Sequence, residues 1–432
     1  MADEELKKLD LMLDRYISSF PDRLSEEVKS LPKIDIDMVM SVWDMYLEAI
    51  KSGKDERTIQ NLHEKIKNTG KSLEIDVIRM WKRLFYDPLS MEINSKIGDA
   101  LADDQILMAF LGHDHAHLCT DISSQYKIIT SAPEKTSSFI MENQREQVRA
   151  FLELHNTNPE YIFSHWINVN KMIHYIVTSK LGRKPKAELI IPADITMQTA
   201  MTLQRRSHRD AYSIVSRLSD TDANEIAVDA EYFKVVGNSG LIFSIIYNLA
   251  KNAYKKISKF KPNNSQKIAL QVYEPSYLGS CYIITVADNG GPIDLNAMKD
   301  VLRETIKAQG IENLKFPNTA IERKFRKWQQ SGYSVKDITI GDITDIAFMG
   351  RMSGFEMEGQ FSSGMGLYGV RYLVQNLGGK ILYGEDFNTG GPMFTCILPK
   401  KMNSYGGRLA AALQSKILTL SGDPRPALPK AA

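Results

Sequence analysis

The sequence predicts a multidomain chain: an all-α region over residues 1–185, an α/β domain over residues 186–402, and a tail over residues 403–432. Three observations predict it. Leu107, Leu111, Leu118, Ile122, Tyr126 and Ile129 step by three, four or seven, which makes a helical seam. The stretch LIFSIIYNLAKNAYKKI (241–257) places Ile242, Ile245, Leu249 and Ala253 three and four apart, on one face of another helix. Ile283, Ile284, Thr285 and Val286 form a β-branched run that Asp288-Asn289-Gly290-Gly291-Pro292 breaks as a turn, the pattern of a buried strand.

Taken in order, residues 1–95 read as several helices broken at Pro21, Pro32, Gly53, Gly70 and Pro88. Residues 96–185 read as a helical hairpin. Its first arm is 96–131, its turn is Ser131–Ser138, and its second arm, Phe139–Leu181, is interrupted at Asn156-Thr157-Asn158-Pro159. Such a hairpin shows more apolar surface than one chain can cover, so a dimeric four-helix bundle is expected. Gly182-Arg183-Lys184-Pro185-Lys186 reads as a linker, and the tail ends in a proline-rich stretch, 422–429, expected to be partly disordered.

Composition narrows the classes. A net charge of +2, with 25% charged residues, supplies no overall basic field for nucleic acid. Three cysteines without paired spacing fit a reducing compartment. The amino terminus, MADEELKKLDLMLDRY, lacks the apolar core of a secretion signal. No run approaches the ~18 uninterrupted apolar residues of a membrane span. The expectation is a cytoplasmic protein without a membrane span.

Candidate chemistry lies in four places. In 241–257, Asn248, Asn252 and either Lys255 or Lys256 share a face different from the apolar one. Amide oxygens are hard neutral ligands suited to Mg²⁺, and an ammonium one turn on can meet phosphate oxygens; the other reading is a polar face in water. Asp288 ends the β-branched run. A carboxylate there either caps the tight turn or accepts a hydrogen bond from an exocyclic amine such as that of adenine. Ser362-Ser363-Gly364-Met365-Gly366-Leu367 leads into the amphipathic stretch Leu367–Leu377, which Gly378-Gly379 stops. Glycines before a helix let backbone N–H groups approach an anion, although such loops are also common structural turns.

The fourth place is the histidine cluster. Three of the eight histidines lie within five residues, at 113, 115 and 117. At about 100° per residue, His115 falls on the seam, and His113 and His117 lie about 160° from it, on the exposed face. His115 reads as a core residue. An exposed His113 followed by Asp114 can be held as the neutral tautomer, leaving one nitrogen free to attack a phosphate. A surface cluster without chemistry, or a metal site from His113 and His117, are the other readings.

Together, Asn248-Leu249-x-x-Asn252-Ala253-x-Lys255, then a strand ending in Asp288-x-Gly290, then Gly364-x-Gly366-Leu367 opening a helix, resemble the ATP-binding domain of the gyrase/Hsp90/histidine-kinase/MutL superfamily. The closing stretch Gly379–Glu385…Gly390–Pro399 looks most like the histidine-kinase branch, and the resemblance covers about residues 188–400. It implies an α/β sandwich binding ATP and Mg²⁺. Asn252 would coordinate Mg²⁺ with Asn248 in support, Lys255 would face the phosphates, and Asp288 would bind the adenine amine. Gly364 and Gly366 would form the lid's hinge and phosphate contact, with Gly290 and Leu367 beside them. His113-Asp114 resembles the family's phosphoacceptor box, so His113 would be the acceptor and Asp114 the assisting base. The implied partners are a second copy through the hairpin and a separate response-regulator receiver domain. The chain departs from the family at Pro292 and Ser362, where glycines are usual, at His115-Ala116 and His117 after the acceptor, and in a longer stretch before Gly364. That stretch carries a basic helix-like piece, 321–328, read as a solvated face. Two further functions fit the same pocket: a serine kinase of the mitochondrial dehydrogenase-kinase type, and a non-catalytic nucleotide-binding scaffold.

Overall fold

The computed structural model describes residues 2–29, 31, 33–85, 88–100, 138–157, 163–206, 213–215, 225–260, 267–276, 280–291, 300, 303–304, 306–307, 310–313, 319–332, 366–385 and 391–401. The first four helices are α1 (Ala2–Lys29), α2 (Ile36–Lys51), α3 (Glu56–Phe85) and α4 (Pro88–Ala100). In α1, the buried Leu6, Leu9, Leu13, Tyr16, Phe20 and Leu24 trace a single stripe. It packs on α4, α3 and a later helix. Asp35 caps α2 by accepting from Met38 N at 3.0 Å. Gly53, at φ +62°, ends α2: its N–H donates to Ile50 O, and Lys54 N donates to Ala49 O.

Two expected breaks do not occur. Pro21 lies inside α1 and Gly70 inside α3. An interior proline costs about 3 kcal/mol, but each fully buried large side chain of α1 returns about 1.5–3 kcal/mol. Gly70 is itself buried, and Ile66, Val77, Met80 and Leu84 hold α3 to the core around it. Burial outweighs local propensity in both helices. Gly53 does end a helix as expected, and Pro88 opens α4, where its missing N–H has no helical partner to lose.

The second arm of the expected hairpin is two helices, α5 (Ser138–Thr157) and α6 (Ser164–Lys180), separated at the predicted interruption. α5 packs on α2, where Arg145 holds Asp44 and Asn156 pairs with both backbone groups of Ile34 at 2.8–2.9 Å. α6 packs on α1, with Trp166 Nε1 donating to Tyr16 Oη at 3.0 Å. The first hairpin arm beyond Ala100, with its histidine cluster, lies outside the described residues, as does the tail after Lys401.

A six-stranded mixed sheet follows, in the order β2-β3-β5-β6-β8-β7: β2 (Ser213–Val215), β3 (Glu225–Ala230), β5 (Lys267–Tyr273), β6 (Cys281–Asp288), β8 (Pro392–Pro399) and β7 (Lys380–Glu385). β2, β3 and β5 run parallel, and the remaining pairs are antiparallel. β1 (Glu188–Ile190) and β4 (Val235–Gly237) form a separate antiparallel pair. Helices α7 (Pro192–Arg206), α8 (Ser239–Phe260) and α10 (Gly366–Asn376) pack against the sheet. α9 (Thr319–Gln330) is the expected basic piece. It shows Arg326 and Glu322 outward as an ion pair but buries Phe325 and Trp328 edge to face.

β6 is an interior strand of the sheet, buried along its whole length. Its Tyr282, Ile284 and Val286 join the main core, whereas Cys281 and Ile283 join Ile397 in a smaller cluster on the opposite face. Burial raises the thiol pKa of Cys281 and Cys396 alike, so both are inert packing residues.

The helical and α/β halves share a core through α6 and α8. A Cβ on Gly240 would lie 2.2 Å from Asn168 O and 2.7 Å from Met172 N, so the two backbones nearly touch. Lys171 on α6 reaches Glu188 Oε2 at 2.9 Å and Ser239 Oγ at 3.1 Å, at the start of α8. Burial alone would raise the pKa of Glu188, but its bonds to Ser239 and the charge of Lys171 outweigh it and lower the pKa. Tyr175 Oη donates to Asn376 O at the end of α10. Helix propensity favours Gly240→Ala by about 1 kcal/mol, yet the new methyl meets backbone that cannot rotate away. We therefore predict that Gly240→Ala lowers stability by about 1–3 kcal/mol in urea unfolding; a stabilised variant would show that α6 is not seated on α8.

Candidate functional site

Helix α8 carries the candidate site. Asn238 starts it, accepting from Leu241 N at 3.1 Å. Ile242, Ile245, Ile246, Leu249, Ala253 and Ile257 are buried, which fixes the rotation of the helix. Asn248 and Asn252 then lie together on another face. Asn248 is buried, and its Nδ2 donates to Ser244 O at 2.9 Å, which turns Oδ1 away from the helix backbone. Asn252 is half-buried one turn later.

Gly366, the first residue of α10, sits over these amides. A Cβ on it would lie 3.7 Å from Asn248 Oδ1, 3.7 Å from Asn252 Oδ1 and 3.5 Å from Asn252 Nδ2. The glycine thus leaves open the space beside two amide oxygens at a helix N-terminus. Oxygen ligands on one side and first-turn N–H groups, which have no acceptor within the helix, on the other suit a hydrated divalent cation carrying phosphate oxygens. Leu367 follows half-buried, and Val370, Leu373 and Val374 anchor α10 in the core. At its end Gly378 takes φ +77°, and Gly379 N donates to Val374 O at 2.8 Å, the stop expected from Gly378-Gly379. Gly364 lies outside the described residues.

Asp288 ends β6 and is buried. Its Oδ1 accepts from Gly290 N at 2.8 Å and lies 3.9 Å from Lys256 Nζ, which also donates to Gly291 O. A Cβ on Gly290 would lie 3.5 Å from the Lys256 side chain, so the aspartate turn rests directly on α8. Asn289 fixes the turn from the other side: its Oδ1 accepts from Lys267 N at 2.9 Å and its N–H donates to Lys267 O. Asp288 therefore both caps its turn and faces α8.

The structure brings Asn248, Asn252, Gly366, Leu367, Asp288 and Gly290 together around α8. Lys255 lies on the same helix, but its side chain is outside the described residues, as are His113 and Asp114. Of the two lysines the spacing allowed, Lys256 is described, and it lies beside Asp288. Sequence reasoning missed Gly391. A Cβ there would fall 1.7 Å from Asp288 O, so only glycine lets β8 begin against the aspartate turn. Its one signal was the Gly390-Gly391-Pro392 run. Among the described residues, no three His, Cys, Asp or Glu side chains gather as metal ligands, and no helix is long and apolar enough to cross a membrane.

Residues 237–402 match the family model for histidine kinase-, DNA gyrase B- and HSP90-like ATPases. This segment is similar to the ATPase domain that those three groups of proteins share. Solved structures similar to the chain include the mycobacterial sensor histidine kinase MprB, at 14% identity over 50% of this chain and 100% of that one, with a TM-score of 0.30. Another is the Acinetobacter baumannii histidine kinase AdeS, at 13% identity over 67% of this chain and 98% of that one, with a TM-score of 0.29. A third is the histidine kinase domain of a blue-light activated histidine kinase from Erythrobacter litoralis, at 13% identity over 68% and 98%, with a TM-score of 0.29. At these TM-scores the superpositions carry no argument, and the assignment rests on the family match and the convergence around α8. No curated protein matches the chain.

In the ATP-binding domain, the site's two ends are held by different strands and helices but a single helix, α8, spans them. Gly391→Ala should push β8 off the Asp288 turn and weaken adenine-nucleotide binding about tenfold, or about 1.4 kcal/mol. Titration of a fluorescent ATP analogue checks this, and unchanged affinity would show that the turn does not need Gly391.

Proposed function

We propose that the protein is an ATP-dependent protein histidine kinase that phosphorylates His113 and passes the phosphoryl group to an aspartate on a separate response-regulator receiver domain. The observation that carries the reading is the placement of Gly366 over Asn248 and Asn252, with Asp288 further along the same helix. In this reading, Asn252 holds Mg²⁺ with Asn248 beside it, and Asp288 accepts from the adenine amine. Gly290, Gly364, Gly366 and Leu367 let backbone approach the nucleotide, and Lys255 faces the phosphates. Bound Mg²⁺ offsets charge on the phosphate oxygens during transfer. Asp114 holds the imidazole of His113 in the tautomer that leaves one nitrogen unprotonated. That nitrogen's lone pair forms the N–P bond as the bond from the γ-phosphorus to the β–γ bridging oxygen breaks. ADP departs with the electron pair.

Pairing of two hairpins into a four-helix bundle would make the protein a homodimer, and the composition fits a cytoplasmic site of action. The domain division that goes with this reading is 1–95 as a helical N-terminal region, 96–185 as the dimerisation and phosphotransfer hairpin, 186–402 as the catalytic domain and 403–432 as a tail.

A second reading, a serine kinase of the mitochondrial dehydrogenase-kinase type, is favoured by the close seating of α6 on α8 at Gly240. A catalytic domain knit to the preceding helices is suited to present its phosphate to a partner rather than to swing onto its own hairpin. Labelling with γ-³²P-ATP separates the two. The histidine reading expects label that is acid-labile, base-stable and lost in His113→Gln. Acid-stable label on a partner serine, or unchanged labelling of His113→Gln, would contradict it.

A further inference from the structure

Lys251 is a buried amine in the middle of the nucleotide helix, and no role in the reading above uses it. At about 100° per residue it projects about 60° from Asn248, on the side away from the apolar stripe. Further round the helix in that direction lie Gly240, Tyr247 and Phe243. Tyr247 stacks on Phe243, with ring centroids 5.6 Å apart, and both meet His165 of α6 at 4.6 Å and 5.1 Å. Lys251 Nζ lies 5.8 Å from the Tyr247 ring centroid. The amine thus occupies the seam between the Asn248/Asn252 face and the face that receives the helical half.

Chain direction sharpens the placement. Gly240 meets residues 168–172 of α6, while Phe243 and Tyr247 meet His165, so α6 runs opposite to α8. Lys251 therefore stands one turn past the contact with the start of α6. In the kinase reading, a phosphoryl group passing from the Asn248/Asn252 face to an acceptor held on the α6 side of α8 would cross this seam.

We propose that Lys251 is a further catalytic residue, donating hydrogen bonds to the phosphoryl group in transit between nucleotide and acceptor. The proposal rests on the kinase reading. As the acceptor–phosphorus bond forms and the bond to the bridging oxygen of ADP breaks, charge spreads over the three non-bridging oxygens. An ammonium fixed in a water-poor seam stabilises that charge more than it stabilises bound ATP. The proposed role transfers no proton to or from Lys251. The competing role is packing alone, with the amine over Tyr247 as a cation–π contact.

Two variants distinguish these roles. Lys251→Met keeps the length and bulk of the stem without the donor, and Lys251→Arg restores a donor. With melting temperature followed as a check on folding, Lys251→Met should bind a fluorescent ATP analogue with Mg²⁺ within about threefold of the parent. It should cut the single-turnover labelling rate by about a hundredfold, and Lys251→Arg should recover part of it. Labelling at the parental rate in Lys251→Met would overturn the proposal, and so would a loss of nucleotide affinity equal to the loss of rate. A parent protein that binds nucleotide yet labels neither itself nor any partner would overturn the kinase reading, and this role with it.

Discussion

Helix α8 is asked to satisfy three neighbours at once, and the rest of the structure follows from how it does so. Its isoleucine and leucine stripe seats it in the core beside β5 and β6. A second face, led by Gly240, Phe243 and Tyr247, takes α6. A third, with Asn248 and Asn252, is left for α10 and the space under Gly366. A close-packed helix cannot rotate to improve one contact without losing another. The amide positions are therefore set by apolar side chains that never touch a ligand.

The same constraint ties the two halves of the chain together. Tyr16 on α1 holds Trp166 on α6, Lys171 on α6 holds Glu188 and Ser239 at the entrance to α8, and Tyr175 reaches the end of α10. Packed side chains therefore run continuously from α1 through α6 to α8 and α10.

What the sequence revealed and what it hid have separate physical causes. Asn248, Asn252 and Asp288 were legible because helical and strand periods place them without any knowledge of distant partners. Gly366 was legible as a helix opening, and α10 ends at Gly378 as its glycine pair implied. Pro21 and Gly70 misled because local propensity says nothing of how much surface a helix buries on its neighbours. Gly240 gave no signal, and Gly391 only the Gly390-Gly391-Pro392 run, because their necessity lies in backbone atoms 72 and 103 positions away, at Asn168 and Asp288. Lys256 lies beside Asp288, while the side chain of Lys255 is outside the described residues. His113 and Asp114 stand on their own sequence pattern, since they lie outside the described residues.

The central claim is that one helix, one aspartate turn and one glycine-led helix close around a single nucleotide. Hydrogen–deuterium exchange with and without a non-hydrolysable ATP analogue and Mg²⁺ tests it most directly, because it reads all three segments in one experiment. The account predicts slowed exchange together in residues 248–256, 288–291 and 366–370, saturating at one nucleotide per chain. Protection confined to one of these segments, or exchange unchanged at saturating nucleotide, would contradict it.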